Sequence, residues 1–217
     1  MTQTDERALS PVRVKSGVFP VSFAALLILG VALGLWSPVS AGGRSTAGNV
    51  SVVEVRVDGK LFQKMSTILE APPEAIWQIL TDYGRATEIF TNLKRCKVLE
   101  DKGSTKLVSH TIAPTGLPGT FQYVVKVKET APTRIEWQRI AGAFREVDGY
   151  WALEPLDAGR ATRVTYCAHI NGGLFYPQPV VRRQVQMDMP QVMSNLQGEV
   201  KELKRLRIAR KPEEPTR

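Results

Sequence analysis

Between Val50 and Asn171 the sequence alternates apolar and polar residues over one short stretch after another. Phe121, Tyr123, Val125 and Val127 alternate with Gln122, Lys126 and Lys128, and Ile135 and Trp137 alternate with Glu136 and Gln138. Val164, Tyr166, Ala168 and Ile170 alternate with Arg163, Thr165, Cys167 and His169. A period of two sends successive side chains to opposite faces of a strand, so these stretches demand an antiparallel sheet with one covered face and one wet face. Strands over Val50–Val57 and Lys60–Glu70 flank an Asp58-Gly59 turn. Five more follow at Cys96–Glu100, Thr105–Ala113, Thr120–Glu129, Arg134–Gly142 and Phe144–Leu156, and Asp157-Ala158-Gly159 turns the chain into a last one, Thr162–Asn171.

Two helical signals interrupt this pattern. In APPEAIWQILTDYGRATEIF, Pro73 suits a first helical turn. Ala75, Ile76, Ile79 and Leu80 keep helical spacing, Gly84 is expected to end the helix, and Arg85–Phe90 forms a second, shorter one. Pro177–Arg210 is the longest helical stretch, with a break or kink expected at Met187–Met189 ahead of Pro190. Beyond it, Val192, Leu196, Val200, Leu203 and Leu206 make an apolar stripe. A strongly curved sheet cannot cover itself with side chains alone, so the long helix fills its concave side and the two short helices close one end.

The N-terminus bears on where such a domain works. Val18–Trp36 runs nineteen residues without a charge behind Arg7, Arg13 and Lys15, and Ser37–Ala41 (SPVSA) follows. This reads as a signal peptide cleaved after Ala41 or a retained membrane anchor, residues 1–41. Residues 42–57 are a linker and first strand extension, 58–208 the main domain, and 209–217 a flexible basic tail. The expected location is outside the cytoplasm: periplasmic, or anchored in the inner membrane and facing the periplasm. The formal net charge of +8 is concentrated at the C-terminus, where Lys201–Arg217 holds seven basic and three acidic residues. A nucleic-acid face on the domain is therefore not expected, whereas a membrane-surface contact suits an exported protein.

Cys96, Cys167, His110 and His169 match no metal-ligand spacing, and no metal or cofactor is expected. Neither a phosphate-cradling glycine motif nor a nucleophile elbow is present. His169 shares its face with Arg163, Thr165 and Cys167, expected to be the solvent side; the face of His110 is open. Both read as surface or satisfied residues. Asp82-Tyr83 reads as a helix-end turn, with Asp82 solvated and Tyr83 packed between the helices.

Three segments carry a resemblance: APPEAIWQILTDYGRATEIFTNLKRCKVLE, GYWALEPLDAGRATRVTYCAHI and PQPVVRRQVQMDMPQVMSNLQGEVKEL. Together they resemble the START-like superfamily (SRPBCC, helix-grip fold), with the closest look to the polyketide cyclase/dehydrase and coenzyme Q-binding family. The likeness covers about residues 58–205 and departs at Ala86–Phe90, where relatives often place Leu-Pro-x-Phe. It implies an α+β helix-grip fold with a pocket between the strands and the C-terminal helix, and it implies that Cys96 and Cys167 lie far apart, unbridged.

On that reading the residues of the inner face are Phe121, Tyr123, Trp137, Trp151 and Tyr166, with Met187, Met189, Met193 and Leu196 opposite on the helix. Arg139 has the parity of Ile135 and Trp137, and an inward guanidinium needs a counter-group, either a ligand oxygen or an acidic side chain. Tyr83 and Phe90 on the short helices, and Leu117, Phe175 and Tyr176 in the loops Ala113–Gly119 and Gly172–Pro179, border the mouth. These residues suit the non-catalytic carriage of an apolar small molecule such as a lipid or isoprenoid quinone. A cyclase/aromatase in which Arg139, Tyr123 or His110 moves protons, and a filled-core interaction module, are the alternatives.

Overall fold

The Asp58-Gly59 pair turns β1 (Val53–Val57) straight into β2 (Lys60–Leu69). Val57 faces Lys60 in the register, and both turn residues take positive φ, 47° and 78°, the twist that a two-residue hairpin needs. The structure, a computed structural model, describes residues 51–114, 118–174 and 176–209. The leader, residues 42–50 of the linker, and the tail from 210 onward lie outside the described residues. Among those described, no helix is long and apolar enough to cross a membrane.

After β2 come α1 (Pro73–Leu80) and the single turn α2 (Ala86–Ile89). Pro73 opens α1 as expected, but the helix stops before Gly84 is reached: the Thr81 hydroxyl and backbone N–H both bond the Trp77 carbonyl, closing the last turn. Then follow β3 (Leu93–Asp101), β4 (Thr105–Ile112), β5 (Phe121–Thr130), β6 (Arg134–Gly142), β7 (Glu146–Leu156), a short turn at Asp157–Gly159, β8 (Ala161–Asn171) and α3 (Gln178–Ala209). The strands form one antiparallel sheet in the order β1-β2-β8-β7-β6-β5-β4-β3. Cys96 on β3 and Cys167 on β8 are both free, with β7, β6, β5 and β4 between them.

The core lies between the concave face and α3. Val108, Val125 and Val164 of the sheet and Met189, Leu196 and Val200 of the helix are almost wholly removed from water, each such side chain stabilising the fold by roughly 1.5–3 kcal/mol. α3 continues through Pro190 without a break. Met187, expected to face inward, is 60% exposed; the residues that turn inward are Asp188 and Met189 beside it.

The wet face expected on β8 is largely absent. Thr165, Cys167 and His169 are buried, because β8 is an interior strand and long side chains from both neighbours fold over it. Lys64 and Tyr150 flank Cys167 in the registers, and the Phe62 ring lies 5.3 Å from that of His169. The two nitrogens of His169 reach the Leu61 carbonyl at 2.8 Å and Glu146 at 3.1 Å. His169 is thus a satisfied buried residue rather than a solvated one.

Candidate ligand-binding site

Between the concave sheet, the α1–α2 segment and α3 lies a cavity of about 180 Å³, partly open to solvent. Its floor begins with a missing side chain. Gly149 faces Trp137 across β6 and β7, and a Cβ at Gly149 would come within 2.3 Å of the indole. The glycine lets Trp137 lean over β7 toward Tyr166, ring centroids 6.0 Å apart, while Trp151 stacks on Tyr166 at 4.2 Å and 11°. From the α2–β3 junction Phe90 meets both rings edge-on, at 6.3 and 6.4 Å. Offset and edge contacts of this kind hold aromatic rings in fixed orientation.

Polar groups on this apolar wall are few. His110 and Tyr123 meet edge to face at 5.3 Å. Burial pushes the His110 imidazole down to about 4, so it is neutral at neutral pH. Burial likewise raises the phenols of Tyr123 and Tyr166 and pushes the Cys96 thiol up to about 11. On the helix side, Asp188 accepts from Asn92 Nδ2 at 2.6 Å and from Gln184 Nε2 at 2.9 Å. Burial holds its carboxyl above the ordinary range against those two donors. Tyr83 donates its hydroxyl to Glu129 at 2.6 Å, tying the α1–α2 connection to the far end of β5. Among the described residues no group of His, Cys, Asp or Glu is placed to hold a metal.

Several residues read from the sequence sit on this wall: Tyr123, Trp137, Trp151 and Tyr166 from the sheet, and Tyr83 and Phe90 from the short-helix segment. Others do not. Met193 and Leu196 are buried in the core, and Met187 faces outward. Phe121 packs at one end with Phe144 and Tyr176, at 5.4 and 5.2 Å. Leu117 and Phe175 lie outside the described residues.

Arg139 is neither in the cavity nor opposite an acid. Its guanidinium donates to the carbonyls of Gly142 (2.6 Å), Ala143 (3.1 Å) and Arg145 (3.4 Å), so backbone oxygens are its counter-group. The clamped turn holds Phe144 at φ 67°, a conformation uncommon for an aromatic residue, and this starts β7 at Glu146 rather than Phe144. Asp188, Asn92 and Gly149 were missed. Asp188 had a visible signal: it lies four residues before Val192 and eight before Leu196, on the apolar stripe itself. Gly149 had none, since its role depends on a partner in another strand.

The fold is shared with solved structures. It is similar to a STAR-related lipid transfer protein from Xanthomonas axonopodis, with TM-score 0.62 at 14% identity, covering 73% of this chain and 97% of that one. The aromatase/cyclase Zhui from Streptomyces sp. R1128 gives 0.59 at 15%, covering 69% and 97%. A START superfamily protein from Mycobacterium smegmatis gives 0.57 at 18%, covering 65% and 98%. No curated protein matches the sequence. Residues 69–197, more than half of the chain, match the family model for polyketide cyclase/dehydrase and lipid transport. With its curved antiparallel sheet closed by α3 around a cavity, the chain has the START-like helix-grip fold and belongs to the polyketide cyclase/dehydrase and lipid transport family.

Proposed function

We propose that the protein is a non-catalytic carrier or chaperone for an apolar small molecule, lipid or isoprenoid quinone-like, and that it works outside the cytoplasm. The observation that carries this reading is the aromatic wall of Trp137, Trp151, Tyr166 and Phe90 around a cavity of about 180 Å³. That volume is near the roughly 150 Å³ that accepts benzene and below the roughly 300 Å³ where drug-sized pockets begin. The cavity thus suits one ring-sized group, with any longer chain leaving through the open side. Burying a ring of about 150–250 Å² at ~25 cal/mol per Å² supplies roughly 4–6 kcal/mol. This alone corresponds to weak, reversible binding, with Kd between about a millimolar and some tens of micromolar. The phenol hydroxyls of Tyr123 and Tyr166 and contacts along the mouth supply what tighter binding requires. The export reading rests on the apolar leader Val18–Trp36.

Native mass spectrometry of the full chain expressed with its own leader, followed by organic extraction, tests both parts. A co-purifying apolar mass is expected, and the intact mass reports whether cleavage follows Ala41. A ligand-free protein that ignores lipid and quinone probes overturns the carrier reading.

A cyclase-type reading draws on His110 and Tyr123, adjacent on the cavity wall, the imidazole neutral and able to accept a proton. Arg139, committed to the turn carbonyls, takes no part in it. The mark of this reading is turnover that is lost in His110→Ala while ligand binding persists.

A further inference from the structure

The first turns of α3 and the loop before it carry a surface that belongs to neither the core nor the cavity. Leu174 is 98% exposed. Val180, Arg183 and Met187 are all exposed, and positions three and four apart share one side of a helix. Arg145 stands beside the loop: its Cβ lies 3.7 Å from where a side chain on Gly173 would begin, and its N–H donates to the Asn171 carbonyl at 2.8 Å. Neither Arg145 nor Arg183 meets a carboxylate among the described residues. Two other exposed aliphatic residues sit beside paired charges. Ile68 lies opposite Arg163, which pairs with Glu154, and Leu99 adjoins Glu100, which pairs with Lys102. Around Leu174 protruding aliphatic groups and unneutralised arginines coincide.

We propose that Leu174, Val180, Arg183 and Met187, with Arg145 beside them, dock the protein on the surface of an anionic lipid bilayer. The aliphatic side chains reach the boundary between headgroups and acyl chains, and the two guanidinium groups meet lipid phosphates. A nucleic acid would neutralise the arginines but offers no apolar region for Leu174 or Met187. Ile170, four residues before Leu174 on β8, lines the cavity, so docking sets that end of the cavity beside the lipid. The proposal goes beyond the carrier reading and does not depend on it.

Because the leader can itself bind membrane, the test must read the patch locally. Hydrogen exchange of the full chain is followed with vesicles of phosphatidylcholine containing about one-third phosphatidylglycerol, and with phosphatidylcholine alone. Slowed exchange over residues 172–187 with the anionic vesicles only is expected. Arg145→Glu with Arg183→Glu should weaken that protection at least about 25-fold, each arginine near an anionic surface being worth about five-fold. Leu174→Asp should remove it as well. Neither variant touches the cavity wall, so uptake of an apolar probe should stay at the wild-type level, and the two readings fail separately. Unchanged exchange at 172–187 on vesicle-bound protein, or equal protection by neutral vesicles, overturns the proposal. So does protection by polyglutamate or an oligonucleotide in the absence of any effect of vesicles.

Discussion

From Gln178 to Asp188 the inner side of α3 joins the apolar contacts of Val181 and Val185 to a row of hydrogen bonds, whereas from Met189 to Val200 its contacts are mainly apolar. In the first half Gln178 donates to the Ile170 carbonyl, Gln186 to Gln63 and Glu54, and Asn92 to Asp188, with Arg182 facing Glu54 at 3.4 Å. In the second half Met189, Val192, Met193, Leu196 and Val200 are buried. Net, a neutral hydrogen bond contributes about 1 kcal/mol because water competes for both partners, while buried methylenes have no such alternative partner. Pro190, which lacks an N–H and leaves the Gln186 carbonyl without its helix bond, stands at the junction. The first half therefore depends more on contacts that water can replace and the second half is the anchor, while Asp188 of the one and Val192 of the other both line the cavity.

The sharpest way to break this comparison is to shorten one side chain in each half. Leu196→Ala should destabilise the protein by about 2–5 kcal/mol in chemical denaturation, and Gln186→Ala by no more than about 1.5 kcal/mol. Similar losses from the two would remove the distinction.

A second prediction uses pH, through His110 and Asp188, which both line the cavity. The His110 imidazole titrates at 6.5 when unfolded and at about 4 when folded, so between these values the unfolded chain binds the extra proton. Stability is then complete above 6.5 and is lost as pH falls toward 4, by up to about 3 kcal/mol. Asp188 has the opposite sign: its folded carboxyl is raised above 3.8, so stability falls as pH rises through that value. His110→Leu should flatten the acid-side loss in denaturation profiles from pH 4 to 7, and Asp188→Asn should steepen it. Parallel profiles for wild type and His110→Leu would place the imidazole in water.

The smallest effect concerns the seam itself. Asn92→Ala removes a 2.6 Å donor from a half-buried carboxylate and should cost about 1–3 kcal/mol. Hydrogen exchange should quicken over residues 178–188 and stay unchanged over 192–200. Uniform quickening would mean that α3 responds as one body.

Most of the architecture was legible. The strands on both sides of the short helices, the Asp58-Gly59 hairpin and the long last helix follow from alternation, turn chemistry and spacing, all of which act over a few residues. The aromatic wall was legible for the same reason: Tyr123, Trp137, Trp151 and Tyr166 share strand parity. Parity fails where a long side chain can bend. Arg139 has the parity of Trp137, yet its flexible stem carries the charge to the carbonyls of the β6–β7 turn. It fails again at Met187, where a one-residue difference in helix phase exchanges an inward methionine for Asp188.

By itself the sequence determined the order and kind of the elements and the covered face of β5, because each rests on patterns within one segment. The tertiary structure alone decided that His169 would be buried between Leu61 and Glu146, that Gly149 would make room for Trp137, and that Asp188 would reach the cavity bonded to Asn92. Each of these depends on a partner from a distant part of the chain, and the burial and hydrogen bonding of a side chain are set by what the fold brings beside it.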